Sequence, residues 1–152
     1  NDDMLIGSPS SDAIFAWEGS DHAVGLDGDD FLAGEPGANH LIGGPGADFF
    51  ALHSDKGSSA GLYDTIADFD PIEGDVLSIE YPVTRIWKEH DFESSDVGGY
   101  IWTEASEAYL DVYLRAPTGD ARHHLVRIDG HDGFSPTQVN FLALIQNGHV
   151  LY

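Results

Sequence analysis

The sequence predicts an all-β fold: a solenoid of very short strands over residues 1–52, followed by an antiparallel, sandwich-like β region over residues 53–152 that caps it. Three observations carry this. A nine-residue unit repeats through the first 51 residues. Gly, Pro, Asp and Asn crowd the first six places of each unit, and an apolar residue recurs at the eighth. Beyond residue 80 the period stops and alternating apolar runs replace it.

The units are GSPSSDAIF (7–15), AWEGSDHAV (16–24), GLDGDDFLA (25–33), GEPGANHLI (34–42) and GGPGADFFA (43–51), after the part-unit NDDMLI (1–6). Slot six holds Asp3, Asp12, Asp21, Asp30, Asn39 and Asp48, and slot eight holds Leu5, Ile14, Ala23, Leu32, Leu41 and Phe50. A fixed period of this kind marks a solenoid. Slots seven to nine form a strand whose side chains alternate, so slot eight points inward. Glycine in slots one and four permits positive φ and close backbone approach. Two units make one coil of eighteen residues, and loops on one edge stack at about 4.7–4.9 Å. Such loops aim carbonyl oxygens and the slot-six carboxylate at one place. Calcium takes six to eight oxygens of those kinds at roughly 2.3–2.6 Å.

These residues resemble the calcium-binding nonapeptide G-G-x-G-x-D-x-U-x of the RTX, or haemolysin-type, repeat family, which residues 43–51 match at every fixed slot. The resemblance implies a parallel β-roll with several calcium ions in its turns. It extends to YDTIADFDPIEGDVLSI (63–79), which is similar to the segment after the repeats in serralysin-type C-terminal domains; Asp64, Ile66, Asp68, Phe69, Asp75, Leu77 and Ile79 take the family positions. The candidate metal ligands are Asp3, Asp12, Asp21, Asp30, Asn39, Asp48, Asp64 and Asp68, with Gly25, Asp27, Gly28, Gly34, Gly37, Gly43, Gly44 and Gly46 in the loops.

Departures from the consensus grade the sites. Slot four is Asn1 and Ser10 in the first two units, so those loops are expected to be strained in the same backbone. Slots one and two are Ala16 and Trp17 in the third unit, and Asn39 supplies a neutral oxygen in the fifth. The best pair of loops is 25–30 with 43–48, using Asp30 and Asp48; a site between Asp21 and Asn39 is expected to be poorer.

Charge agrees with this. The net charge is −21, and all six basic residues lie after residue 55, while the first 55 residues hold eleven acids. Phosphate recognition needs a basic surface, so nucleic acid is excluded as a partner. Without cations the acidic segment repels itself and has little large apolar surface to drive collapse. Ion binding then becomes folding energy. There is no cysteine, and calcium is a suitable staple for a secreted chain without disulfides.

After residue 80, residues 100–114 read as a hairpin of half-buried strands and 123–128 as another strand. Residues 135–141 begin with Ser and Pro, a short helical turn. Residues 141–152 read as strand, Asn147–Gly148 turn and strand, and 53–61 as the hand-over loop. No run is long and apolar enough to span a membrane. The chain begins mid-repeat and reads as a piece of a longer protein.

His22 and His40 share slot seven and should stack on an outer face, where no third zinc ligand is visible. Ile6, Val24 and Ile42 share slot nine on the same strands, an outer stripe that calls for a cover unless it tilts inward. Three functions remain. The resemblance implies a calcium-folded C-terminal module of a protein exported by type I secretion, in contact with that machinery and finally extracellular. An alternative is a polysaccharide-binding module like the non-catalytic repeats of mannuronan epimerases, with Trp87, Trp102, Tyr100, Tyr109, Tyr113, Arg85, Lys88 and Arg115 as candidates. Self-cleavage at Asp70–Pro71 is the third, set against an ordinary turn proline. No catalytic residues are assigned.

Overall fold

A computed structural model of the chain describes residues 1–53, 62–80, 85–86, 100–115, 122–131, 134–136 and 150–151, and structural statements refer to these. Slots seven to nine are strands in all six units: β1 (Met4–Ile6), β2 (Ala13–Phe15), β3 (His22–Val24), β4 (Phe31–Ala33), β5 (His40–Ile42) and β6 (Phe49–His53). The turn-forming residues on either side hold most of them to three residues. Pairing is parallel at the eighteen-residue spacing: Met4 opposes His22, His22 opposes His40, Ala13 opposes Phe31 and Phe31 opposes Phe49. Odd strands build one sheet and even strands the other. The roll then gains one more coil, because β7 (Asp64–Ile66) pairs with β5 and β8 (Val76–Glu80) with β6, both parallel.

Slot eight forms the core, as the alternation requires. Ile14, Ala23, Leu32, Leu41 and Phe50 are buried, Leu5 packs at the open end, and Ile66 and Leu77 extend the row. Phe69 continues it between Phe50 and Phe134, with ring centroids at 6.2 and 5.8 Å. On β1, β3 and β5 slot nine stays outside, with Ile6 62% exposed and Val24 and Ile42 half-buried, whereas on β4 and β6 Ala33 and Ala51 are buried.

The remaining strands are β9 (Arg85–Ile86), β10 (Tyr100–Ala105), β11 (Tyr109–Arg115), β12 (Arg122–Asp129) and β13 (Val150–Leu151). The expected hairpin is β10–β11, and the expected strand at 123–128 is β12. Antiparallel pairing among the described strands is confined to β10–β11–β12; β12 joins β7 in parallel, β13 joins β8 in parallel, and β9 joins β10 in parallel. The cap therefore adds strands to both roll sheets, giving orders β1-β3-β5-β7-β12-β11-β10-β9 and β13-β8-β6-β4-β2. The physical reason is that β7 and β8 end the coil with unpaired backbone edges, which further strands satisfy. Leu110, Val112, Leu125, Val126 and Ile128 carry the core into it. The proposed helical turn beyond Pro136, the Asn147–Gly148 turn and the loop 54–61 lie outside the described residues.

Candidate metal centre

Strand alternation and the two-unit coil put loops 7–12, 25–30 and 43–48 on one edge and loops 16–21 and 34–39 on the other. Slot-six side chains form a ladder along each. On the first edge the Asp12 N–H donates to Asp30 Oδ1 at 2.8 Å, the Asp30 N–H to Asp48 Oδ1 at 2.9 Å and the Asp48 N–H to Asp75 Oδ1 at 2.9 Å. On the second the Asp3 N–H donates to Asp21 Oδ1 at 2.6 Å, the Asp21 N–H to Asn39 Oδ1 at 2.9 Å and the Asn39 N–H to Asp64 Oδ1 at 2.8 Å. One side-chain oxygen per rung is thus spent on the backbone of the neighbouring coil.

The other oxygen is what makes this a candidate metal site. Asp21, Asp30 and Asp48 are 2%, 2% and 1% exposed, and Oδ2 of each is buried without a hydrogen-bond partner. A buried carboxylate oxygen in that state is costly unless a cation meets it. Slot-one glycine leaves it room: a methyl group on Gly25 would collide with Asp30 Oδ2 and stand 2.5 Å from the Gly43 carbonyl oxygen. Carboxylate and carbonyl oxygens of successive loops thus gather at one glycine, the donor set calcium takes. No three Asp, Glu, His or Cys side chains converge on one point among the described residues, so an ion here depends on backbone carbonyls as well. The residues fit calcium between loops 25–30 and 43–48.

Other candidates fall in graded places. Asp12 Oδ2 accepts from the Ser8 N–H at 2.6 Å and the Ser8 hydroxyl at 2.9 Å, so it is already satisfied. Asp3 and Asp27 are exposed. Asp64 and Asp68 lie at opposite ends of β7 and hence on opposite edges: Asp64 extends the second ladder, whereas Asp68 accepts the N–H groups of Gly43 and Gly44 at 3.0 and 2.8 Å. They cannot close one ion site together. Slot four takes the positive φ, with Gly28 at 125° and Gly46 at 144°, alongside Gly19 and Gly37. Ser10 does not; its loop takes another backbone with a Ser8–Ser10 bridge, so the expected strain there is absent. Strain falls instead in slot two, where Trp17 at 60° and Leu26 at 82° occupy the left-handed region that Gly44 fills at 104°.

Sequence reasoning missed two features of the ladders. Asp75 takes the slot-six place after Asp48, although 27 residues rather than eighteen separate them. Slot five adds contacts on both edges: the Asp29 N–H donates to Ser11 Oγ and the Ala47 N–H to Asp29 Oδ1 on the first, and the Ser20 N–H to Asp2 Oδ1 on the second. The recurrence of Asp and Ser in slot five was the available signal.

Electrostatics mark the end of the first edge. Burial pushes the Asp48 carboxyl up to about 7, with the charges of Asp75, Asp30 and Asp68 adding to it. Burial likewise pushes Asp75 up to about 6, with Asp68 and Asp70 beside it. His22 and His40 stack as expected, with centroids 4.7 Å apart. Burial, and then the neighbouring His22, lowers the pKa of His40.

The model of the RTX calcium-binding nonapeptide repeat, in four copies, matches residues 1–32 and 24–54. Residues 1–54 are RTX repeats. The RTX roll and its cap together are similar to two solved subunits of the Azotobacter vinelandii mannuronan C5-epimerase. The AlgE6R3 subunit is 27% identical with a TM-score of 0.56, over 93% of this chain and 79% of its own. The AlgE6R2 subunit is 25% identical with a TM-score of 0.60, over 97% of this chain and 91% of its own. No curated protein matches the chain. The chain thus carries RTX calcium-binding repeats over residues 1–54, folded as a β-roll, and Ca²⁺ is their ion.

Proposed function

We propose that this RTX module is a calcium-folded, non-catalytic part of a larger secreted protein, exported unfolded by type I secretion and folded by calcium outside the cell. The observation that carries the reading is the pair of buried, unpartnered oxygens, Asp30 Oδ2 and Asp48 Oδ2, each against a slot-one glycine. An acidic segment built this way remains expanded where calcium is scarce, the state an export channel requires, and closes where calcium is abundant. A ligand at 100 times its dissociation constant adds about 2.7 kcal/mol per site. Asp30 and Asp48 would hold the ion with carbonyls of loops 25–30 and 43–48. The test is calcium titration followed by far-UV circular dichroism: Asp30→Ala and Asp48→Ala should each raise the calcium midpoint and lower the number of ions bound. Unchanged midpoints and stoichiometry in both variants would refute the assignment.

A second reading, polysaccharide binding, is favoured by the likeness to mannuronan C5-epimerase subunits over nearly the whole chain. The cap also carries a half-buried aromatic row: His124 stacks between Tyr63 and Tyr113 at 3.8 and 4.6 Å, and the Arg127 guanidinium lies 3.7 Å over the Tyr109 ring. Tyr109 and Tyr113 belong to the set read from the sequence; Arg127 and Tyr63 do not. Trp87 and Lys88 lie outside the described residues. Pull-down on immobilised alginate, with Tyr113→Ala as the comparison, tests this reading: equal retention of the variant or none of either counts against it.

A further inference from the structure

Among the six repeat units, slot six carries an amide in place of a carboxylate at Asn39, which is 2% exposed. Its Oδ1 accepts the Asp21 N–H, the rung contact that Asp30 and Asp48 make on the other edge. Its Nδ2 donates to the slot-one carbonyl of Gly34 and, at 3.2 Å, to the slot-two carbonyl of Glu35. The equivalent atoms are the buried Oδ2 oxygens of Asp30 and Asp48 on the other edge and of Asp21 on this one, which accept nothing. An amide nitrogen is a donor and cannot ligate a cation. Turning the amide over would set its NH₂ against the Asp21 N–H, leaving two donors face to face in a buried place. Loop 34–39 therefore does not fit calcium as loops 25–30 and 43–48 do.

We propose that Asn39 is a built-in replacement for a calcium ion. Its carboxamide braces loop 34–39 from within, so this rung takes no ion and keeps its shape when calcium is withdrawn. The inference rests on the calcium-folded reading above. One edge of the roll is then an ion ladder through Asp30 and Asp48, and the other is pinned at its middle by the protein itself. The brace holds β3 and β5 in register independently of calcium, leaving a partly ordered edge against which the ion-dependent edge closes.

The test counts calcium on the whole chain by metal analysis after equilibrium dialysis, with thermal unfolding in EDTA and in calcium. Asn39→Asp should bind about one ion more than wild type, melt lower than wild type in EDTA and recover in calcium. Asn39→Ala should gain no ion and melt lower in both. In calcium-loaded wild type, the Asn39 side-chain amide protons should exchange slowly with solvent, a readout that holds if a variant fails to fold. Equal ion counts for wild type and Asn39→Asp, or rapid exchange of those protons, would overturn the proposal and leave the calcium-folded reading standing. A wild type that binds no calcium overturns both.

Discussion

Asp48 in the roll and Asp111 in the cap are both almost wholly buried, at 1% and 4% exposure, yet they are neutralised in different ways. The Arg127 guanidinium grips both oxygens of Asp111, Nε to Oδ1 at 2.8 Å and Nη2 to Oδ2 at 2.9 Å, and His124 Nε2 adds a contact at 2.9 Å. Asp48 has other carboxylates around it, those of Asp75, Asp30 and Asp68, in a chain whose Lys and Arg residues all follow residue 55. The cap carries its countercharge in its own sequence. The roll leaves that role to an ion from solution, so its stability is set by its surroundings.

The largest effect should come from removing the ion. In EDTA the roll should lose most of its β signal in far-UV circular dichroism, while the rung braced by Asn39 and part of the cap retain theirs; calcium at millimolar levels should restore the whole. Magnesium should not, because it demands a tighter octahedral site and gives up water reluctantly. Full β structure in EDTA, indifferent to calcium, would erase the distinction between the two regions.

Arg127→Ala probes the other side. It strips the buried Asp111 of both guanidinium contacts and leaves it with His124 and Tyr113, at a cost of about 1–3 kcal/mol. The loss should be the same at any calcium concentration above saturation. A shift in the calcium midpoint as large as the shift in stability would show that cap and roll do not divide as described.

Within the roll, Asp30→Ala should weaken calcium binding more than Asp12→Ala. Asp30 sits between two loops of its edge with a free buried oxygen, whereas Ser8 already satisfies Asp12. A loss of about tenfold or more is expected at Asp30, equal to about 1.4 kcal/mol, and little at Asp12. Isothermal titration that gives equal constants for both variants would contradict the graded ladder.

The smallest effect concerns pH. A carboxyl raised in the folded state binds its proton more tightly there than in the unfolded chain. The stability it contributes without calcium is present at low pH and is lost as pH rises through the folded values, about 6 for Asp75 and about 7 for Asp48. Calcium-free protein should therefore unfold more readily at pH 8 than at pH 5. With calcium the sign reverses, since proton and ion compete for the same oxygens and affinity should fall as pH drops through that window. Thermal melts and titrations at both pH values check each sign.

The nine-residue period carries the roll: the strands at slots seven to nine, the buried row at slot eight and the slot-six ladder are local and repeat at fixed spacing. That regularity also put Asp30 and Asp48 forward as the candidate pair. It could not show that Asp75 succeeds Asp48, because the spacing there is 27 residues and the pairing of β6 with β8 decides it. Nor could it place Asp64 and Asp68 on opposite edges, or show that the Asn39 amide braces its own loop, since each depends on where a side chain meets a distant backbone. The cap's attachment through β7–β12 and β8–β13 is likewise tertiary: strand patterns mark which residues pair sideways, but the partner is chosen by whichever open edge the folded coil presents.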